Sequence, residues 1–116
     1  MKKSTHQIGK ENETKACNYL VKEGYTILDR NFQTRFGEID IICSKESTIH
    51  VIEVKTLQTD WAESDITFLV NAFKQYKIKN VFTYYLATNN LITYDNIKFD
   101  VISVMNNKIK HYVGAF

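Results

Sequence analysis

The chain has 116 residues, 44% of them hydrophobic and 24% charged, with a formal net charge of +2. That is enough for one domain with a real core, and it excludes both a disordered polyelectrolyte and a uniformly basic nucleic-acid binder, so any basic footprint must be local. No apolar run approaches the roughly 20 residues of a membrane span, and the two lysines of the opening have no apolar stretch behind them, so neither a membrane segment nor a secretory signal is expected.

Residues 1–6 are expected as a disordered lead. From Gln7 to Lys22 the pattern is helical, with an apolar stripe of Ala16, Cys17 and Leu20 and Ile8 toward the start, and Gly24 is a natural stop. Glu13 precedes those three by three, four and seven positions and so lies on their face. Two readings stay open for it: an acid at a partly exposed edge, or an acid aimed inward at a sheet. Tyr25 to Phe32 reads as a strand, followed by a connection with Arg30 and Arg35 nearby.

Two strands then surround a short polar turn between Ser44 and Ser47. The first holds Gly37-Glu38-Ile39-Asp40-Ile41-Ile42 and the second Val51-Ile52-Glu53-Val54-Lys55. If the turn has two or four residues, parity places Glu38, Asp40 and Ile42 on one face with Ile49, Val51, Glu53 and Lys55. That face is apolar near the turn and charged at the far end. Segregated acids with a basic helper point to a metal site. The second face carries Ile39, Ile41, Ile52 and Val54, so both faces need a cover, which favours a sheet with helices on both sides.

Thr56 to Asp65 reads as a loop, with Trp61 as a packing or stacking residue. A second helix runs from about Ile66 or Asn71 to Thr88, with a stripe of Ile78, Val81, Phe82, Tyr85 and Leu86. Lys74, Lys77 and Lys79 crowd its first half, as a solvated face or as phosphate contacts. Phe99 to Val104 and Ile109 to Val113 read as strands around an Asn106-Asn107 turn. Asp100 has no role that the pattern assigns. His6, His50 and His111 lack ligand spacing, so His50 is expected to be structural or superficial. Cys17 and Cys43 sit in apolar patterns and are expected as buried thiols, in keeping with a reducing cytoplasm.

Asp40, then twelve residues, then Glu53-Val54-Lys55 is similar to the D…(D/E)-x-K signature of the PD-(D/E)xK nuclease superfamily. Glu13-x-x-Ala16, Tyr19-Leu20, Gly24-Tyr25, Arg30-Asn31, Gly37-Glu38-Ile39-Asp40, Lys74, Phe99-Asp100-Val101 and Ala115-Phe116 extend the match. In that order they resemble the YraN-like family of small predicted endonucleases, related in fold to Holliday-junction resolvases. The resemblance implies one α/β domain over residues 1–116, a restriction-endonuclease-like mixed sheet flanked by helices. It implies a metal-dependent endonuclease hydrolysing DNA phosphodiester bonds, with branched or damaged DNA among the expected substrates, or else a nucleic-acid-binding protein that keeps the fold and cleaves little. Asp40 and Glu53 would be metal ligands for Mg²⁺ or Mn²⁺, with the Val54 carbonyl beside them. Lys55 would orient the attacking water, and Glu13 would contact the metal or its water. Lys74, Lys77 and Arg35 would contact the nucleic acid, and pairing into a homodimer is a further expectation. Ile39 stands at the superfamily's proline. Thr56-Leu57 stands where relatives usually carry an arginine.

Overall fold

The structure is a computed structural model that describes residues 2–58, 70–89 and 94–116. The elements are α1 (Thr5–Lys22), β1 (Thr26–Thr34), β2 (Gly37–Lys45), β3 (Thr48–Thr56), α2 (Ala72–Thr88), β4 (Asn96–Met105) and β5 (Lys108–Tyr112). The five strands form one sheet in the order β1-β2-β3-β4-β5. Neighbours are antiparallel except β3 and β4, which run parallel. A parallel pair needs a crossover, and α2 lies in the chain between them. This is the expected mixed sheet between helices, consistent with a restriction-endonuclease-like fold. No helix among the described residues is long and apolar enough to cross a membrane. Trp61 and the rest of 59–65, like the earlier candidate helix start at Ile66, lie outside the described residues.

Strand alternation divides the core between the helices. Ile42, Ile49, Val51 and Val101 pack with Ile78, Val81, Phe82 and Tyr85 of α2. Their chain neighbours Ile41, Ile52 and Ile102 pack with Ala16, Cys17 and Leu20 of α1. Burying one such aliphatic side chain contributes roughly 1.5–3 kcal/mol, so both layers are integral to stability. The helical stripes are those the spacing predicts except at Ile8, which is exposed in the first turn of α1, and Leu86 is partly buried against the α2 layer. Both cysteines are free and buried, and burial pushes both thiols up.

The chain departs from expectation at its start. In place of a lead through residue 6, α1 begins at Thr5, because Ser4 closes a capping box: its hydroxyl accepts from the Gln7 amide, and the Gln7 side chain accepts from the Ser4 amide. The β2–β3 turn is two residues, Glu46 and Ser47, both at positive φ (49° and 66°), which is the type I′ geometry of tight hairpins.

Candidate active site

The charged end of the β2–β3 hairpin is where the sheet opens. The β2–β3 ladder runs from Lys45↔Thr48 to Ile41↔Ile52 and stops there. β3 continues beyond that point, paired with β4 through Thr56↔Val104. Asp40 sits in the resulting gap, and its Oδ2 accepts from the Val54 backbone N–H at 2.8 Å. A side-chain oxygen thus satisfies an amide that the ladder leaves unpaired.

The single charged face expected from parity does not persist along β2. Ile39 and Ile42 both join the α2-side core while Ile41 joins the α1 side, so alternation slips between them. β1 is irregular alongside. Its register shifts between Ile27 and Asp29, and Asn31 has φ 52°, a left-handed conformation that asparagine tolerates better than most residues. Lys10 Nζ donates to the Asn31 side chain at 3.0 Å. The slip carries Asp40 toward α1.

Glu13 meets it there. Carboxylate oxygens of Glu13, Glu38 and Asp40 all lie within 4.8 Å of one another. Glu13 therefore resolves as the acid aimed at the sheet. Its Oε1 is buried without a hydrogen bond, and the Lys10 ammonium stands 3.9 Å away. Glu38 was legible by parity but absent from the nuclease signature; Gln33 donates to its Oε2 at 2.8 Å.

Glu53 stands outside that trio and is buried on the α2 side, with Lys55 Nζ at 3.5 Å and Lys74 Nζ at 3.8 Å from its Oε1. It nevertheless acts on Asp40. Burial, then the Glu53 charge, push the Asp40 carboxyl up to about 8, against a smaller lowering by the Val54 amide; Glu13 and Glu38 add to the rise. Burial also raises Glu53, opposed by Lys74 and Lys55. Four carboxylates thus surround the gap from both sides of the sheet. Arg35, Lys74 and Lys77 line one cleft beside Glu38. Thr56 accepts from buried Asn12 at 2.8 Å and ties β3 to α1.

A second polar cluster escaped the sequence reading. Asp100, fully buried, receives His50 Nδ1 at 2.6 Å and His111 Nε2 at 2.8 Å on Oδ2, and the Gly114 amide at 2.8 Å on Oδ1. Burial alone would raise this carboxyl, but the three donors hold it down at about 2. A carboxylate only accepts, so His50 carries its proton on Nδ1 and His111 on Nε2. The cluster could be taken for a metal site, but Oδ2 already accepts from both imidazoles and Oδ1 from a backbone amide. It acts as a clamp joining β3, β4, β5 and the C-terminal residues. His50 is therefore structural, as expected. Nothing in the spacing of 50, 100 and 111 reveals the clamp; the signal was a lone acid inside an apolar strand.

The model of "Uncharacterised protein family UPF0102" matches residues 12–104, a span that includes Glu13, Glu38, Asp40, Glu53, Lys55 and Asp100. A UPF0102 protein of Thermodesulfovibrio yellowstonii is 40% identical over 111 residues, 95% of this chain and 96% of that one. One of Petrotoga mobilis is 41% identical over 107 residues, covering 92% and 94% of the two chains. One of Alkaliphilus oremlandii is 42% identical over 115 residues, covering 95% and 97%. With near end-to-end matches at this identity, the chain belongs to UPF0102, the YraN family.

Proposed function

We propose that this protein is a metal-dependent endonuclease that hydrolyses phosphodiester bonds in DNA. The observation that carries the reading is the crowding of Glu13, Glu38 and Asp40 at the open end of the ladder, with a buried Glu13 oxygen that has no hydrogen bond. Burial first, and then the charge of Glu53 with smaller additions from Glu13 and Glu38, favours a proton on Asp40 when no counter-charge is present. The natural counter-charge for hard oxygen donors is Mg²⁺ or Mn²⁺. Asp40 with Glu13 and Glu38, whose oxygens lie within 4.8 Å of one another, would hold the ion, and Glu53, expected from the signature as a ligand but standing outside that trio, would add its charge from the other side of the sheet. When bound, such an ion supplies charge neutralisation at the phosphate and a water acidified for attack.

The chain's own groups do the remaining work. The Val54 amide fixes the orientation of the Asp40 carboxylate. Lys55, paired with Glu53, is one exchange of partner away from a phosphoryl oxygen, where an ammonium stabilises the charge that develops in the transition state. Lys74 holds the other flank of Glu53 and, with Arg35 and Lys77, offers cations to the phosphates on either side of the scissile bond. A purely internal ion-pair network fits less well, because Lys10 Nζ, at 3.9 Å, is too far to hydrogen-bond the buried Glu13 Oε1.

The test is incubation of purified protein with Mn²⁺ and a panel of duplex, single-stranded, flapped and four-way-junction DNA. Strand scission by the wild type that is lost in Asp40→Asn is the expected result. Binding without scission on every substrate would leave a nucleic-acid-binding protein with a nuclease fold.

A further inference from the structure

The outer face of α2 is unusual for a surface. The large hydrophobic side chains exposed among the described residues include four aromatics: Phe36 (66% exposed), Phe73 (70%), Tyr76 (65%) and Tyr84 (56%). All four line one groove of about 610 Å³. Phe73, Tyr76, Asn80, Tyr84 and Ala87 recur at three- and four-residue spacing, a second stripe on α2 opposite the core stripe of Ile78, Val81, Phe82 and Tyr85. Phe36 joins them from the β1–β2 turn.

Among the described residues that line the groove there is no acid, and the one charged residue is Lys77. Lys77 Nζ lies 5.6 Å from the Phe73 ring centre, and the Arg35 guanidinium lies 4.9 Å from that of Phe36. The groove is also continuous with the active site. Phe36 and Lys77 line the neighbouring cleft of Arg35, Lys74 and Glu38 as well, and Glu38 with Gln33 lines the next, which reaches Glu13. An aromatic track, a cationic cleft and an acidic centre therefore adjoin one another through shared lining residues.

From this continuity we infer that the groove is a track for single-stranded nucleic acid, whose unpaired bases stack on Phe36, Phe73 and Tyr76 while Arg35, Lys74 and Lys77 hold the phosphates leading to the acidic centre. The inference rests on the nucleic-acid reading above and deepens it, because it names the substrate as one with an unpaired strand. In a duplex the base faces are already stacked on one another, so exposed rings have nothing to receive. An unpaired base offers its face to any ring, whatever its sequence. A second copy of this chain is the other occupant to weigh. A two-fold contact through this patch would bring Arg35, Lys74 and Lys77 near their own equivalents, so the charge of the site favours an anionic partner over a copy of itself.

The experiment is fluorescence anisotropy with a labelled oligothymidylate and a blunt duplex of equal length, in EDTA so that nothing is cut. The wild type should bind the oligothymidylate more tightly. Phe73→Ala and Tyr76→Ala should each weaken that binding by roughly 5- to 100-fold, the scale of one lost base–ring stack, and leave duplex binding unchanged. Tyr76→Phe should retain it. These side chains are exposed, so the variants should fold, and far-UV circular dichroism verifies that they do. Equal affinity of wild type and alanine variants for the oligothymidylate overturns the inference. So does a wild-type dimer in sedimentation that Phe73→Ala dissociates. The two readings separate cleanly. Scission in Mn²⁺ with no effect of groove variants removes the track and leaves the nuclease. Groove-dependent oligothymidylate binding without scission of any DNA does the reverse.

Discussion

The Asp40 carboxyl is pushed up to about 8 from an ordinary 3.8, so the folded chain keeps a proton that the unfolded chain releases. The stability this contributes is fully present below about pH 4 and is lost as pH rises toward 8. Without metal, the urea midpoint should therefore fall across that window, and Asp40→Asn should flatten the fall. Metal needs the ionised carboxylate, so Mn²⁺ affinity measured by calorimetry should rise over the same window and be weakened in Asp40→Asn. Lys55→Ala should divide these effects differently. Mn²⁺ affinity should stay near wild type, while single-turnover scission drops by roughly 10²-fold, the scale of one preorganised donor. If both substitutions leave metal affinity and scission unchanged in folded protein, the acidic cluster is structural. The clamp residue has the opposite linkage. Asp100, held at about 2, contributes stability above the ordinary carboxylate range that is lost as pH falls toward 2.

At the level of elements, Asp100→Ala would leave His50, His111 and the Gly114 amide without their acceptor. Breaking such a buried group should cost about 3–5 kcal/mol in chemical denaturation. The β2–β3 turn offers a change of opposite sign. Ser47 has φ 66°, so Ser47→Gly removes a left-handed Cβ and should stabilise by about 1 kcal/mol. What could be read in advance follows from periodicity. The Ala16, Cys17 and Leu20 stripe, the Ile78 to Leu86 stripe and the hairpin parity near the turn are local patterns, and the structure keeps them. The capping box of Ser4 and Gln7 was equally local, and its S-x-x-Q spacing was a readable signal of the earlier helix start. The slip of alternation between Ile39 and Ile42 was not readable, because it arises where two strands part and Asp40 takes a backbone amide. The His50–Asp100–His111 clamp was not readable either, since it is made by a parallel crossover and a C-terminal strand.

For the molecule as a whole, a net charge of +2 means that any attraction to a polyanion must come from a local patch and not from the overall field. Replacing Lys74 and Lys77 together with Ala should lower the slope of log affinity against log salt by about one unit per lost phosphate contact. An unchanged slope would return them to a solvated face. The sheet also has a temporal structure. Its β2–β3 seam closes through a two-residue turn, whereas every β3–β4 pair, from Thr48↔Asn96 to Thr56↔Val104, joins residues far apart in the chain. Closing a short loop costs less chain entropy than closing a long one, so the hairpin forms early and the parallel seam late. Ile42→Val should then slow refolding, while Val101→Ala should chiefly speed unfolding in stopped-flow experiments. The last seam to close is the one that holds β3 extended past the end of its hairpin ladder, so Glu53 and Lys55 reach their native positions only in the final step of folding.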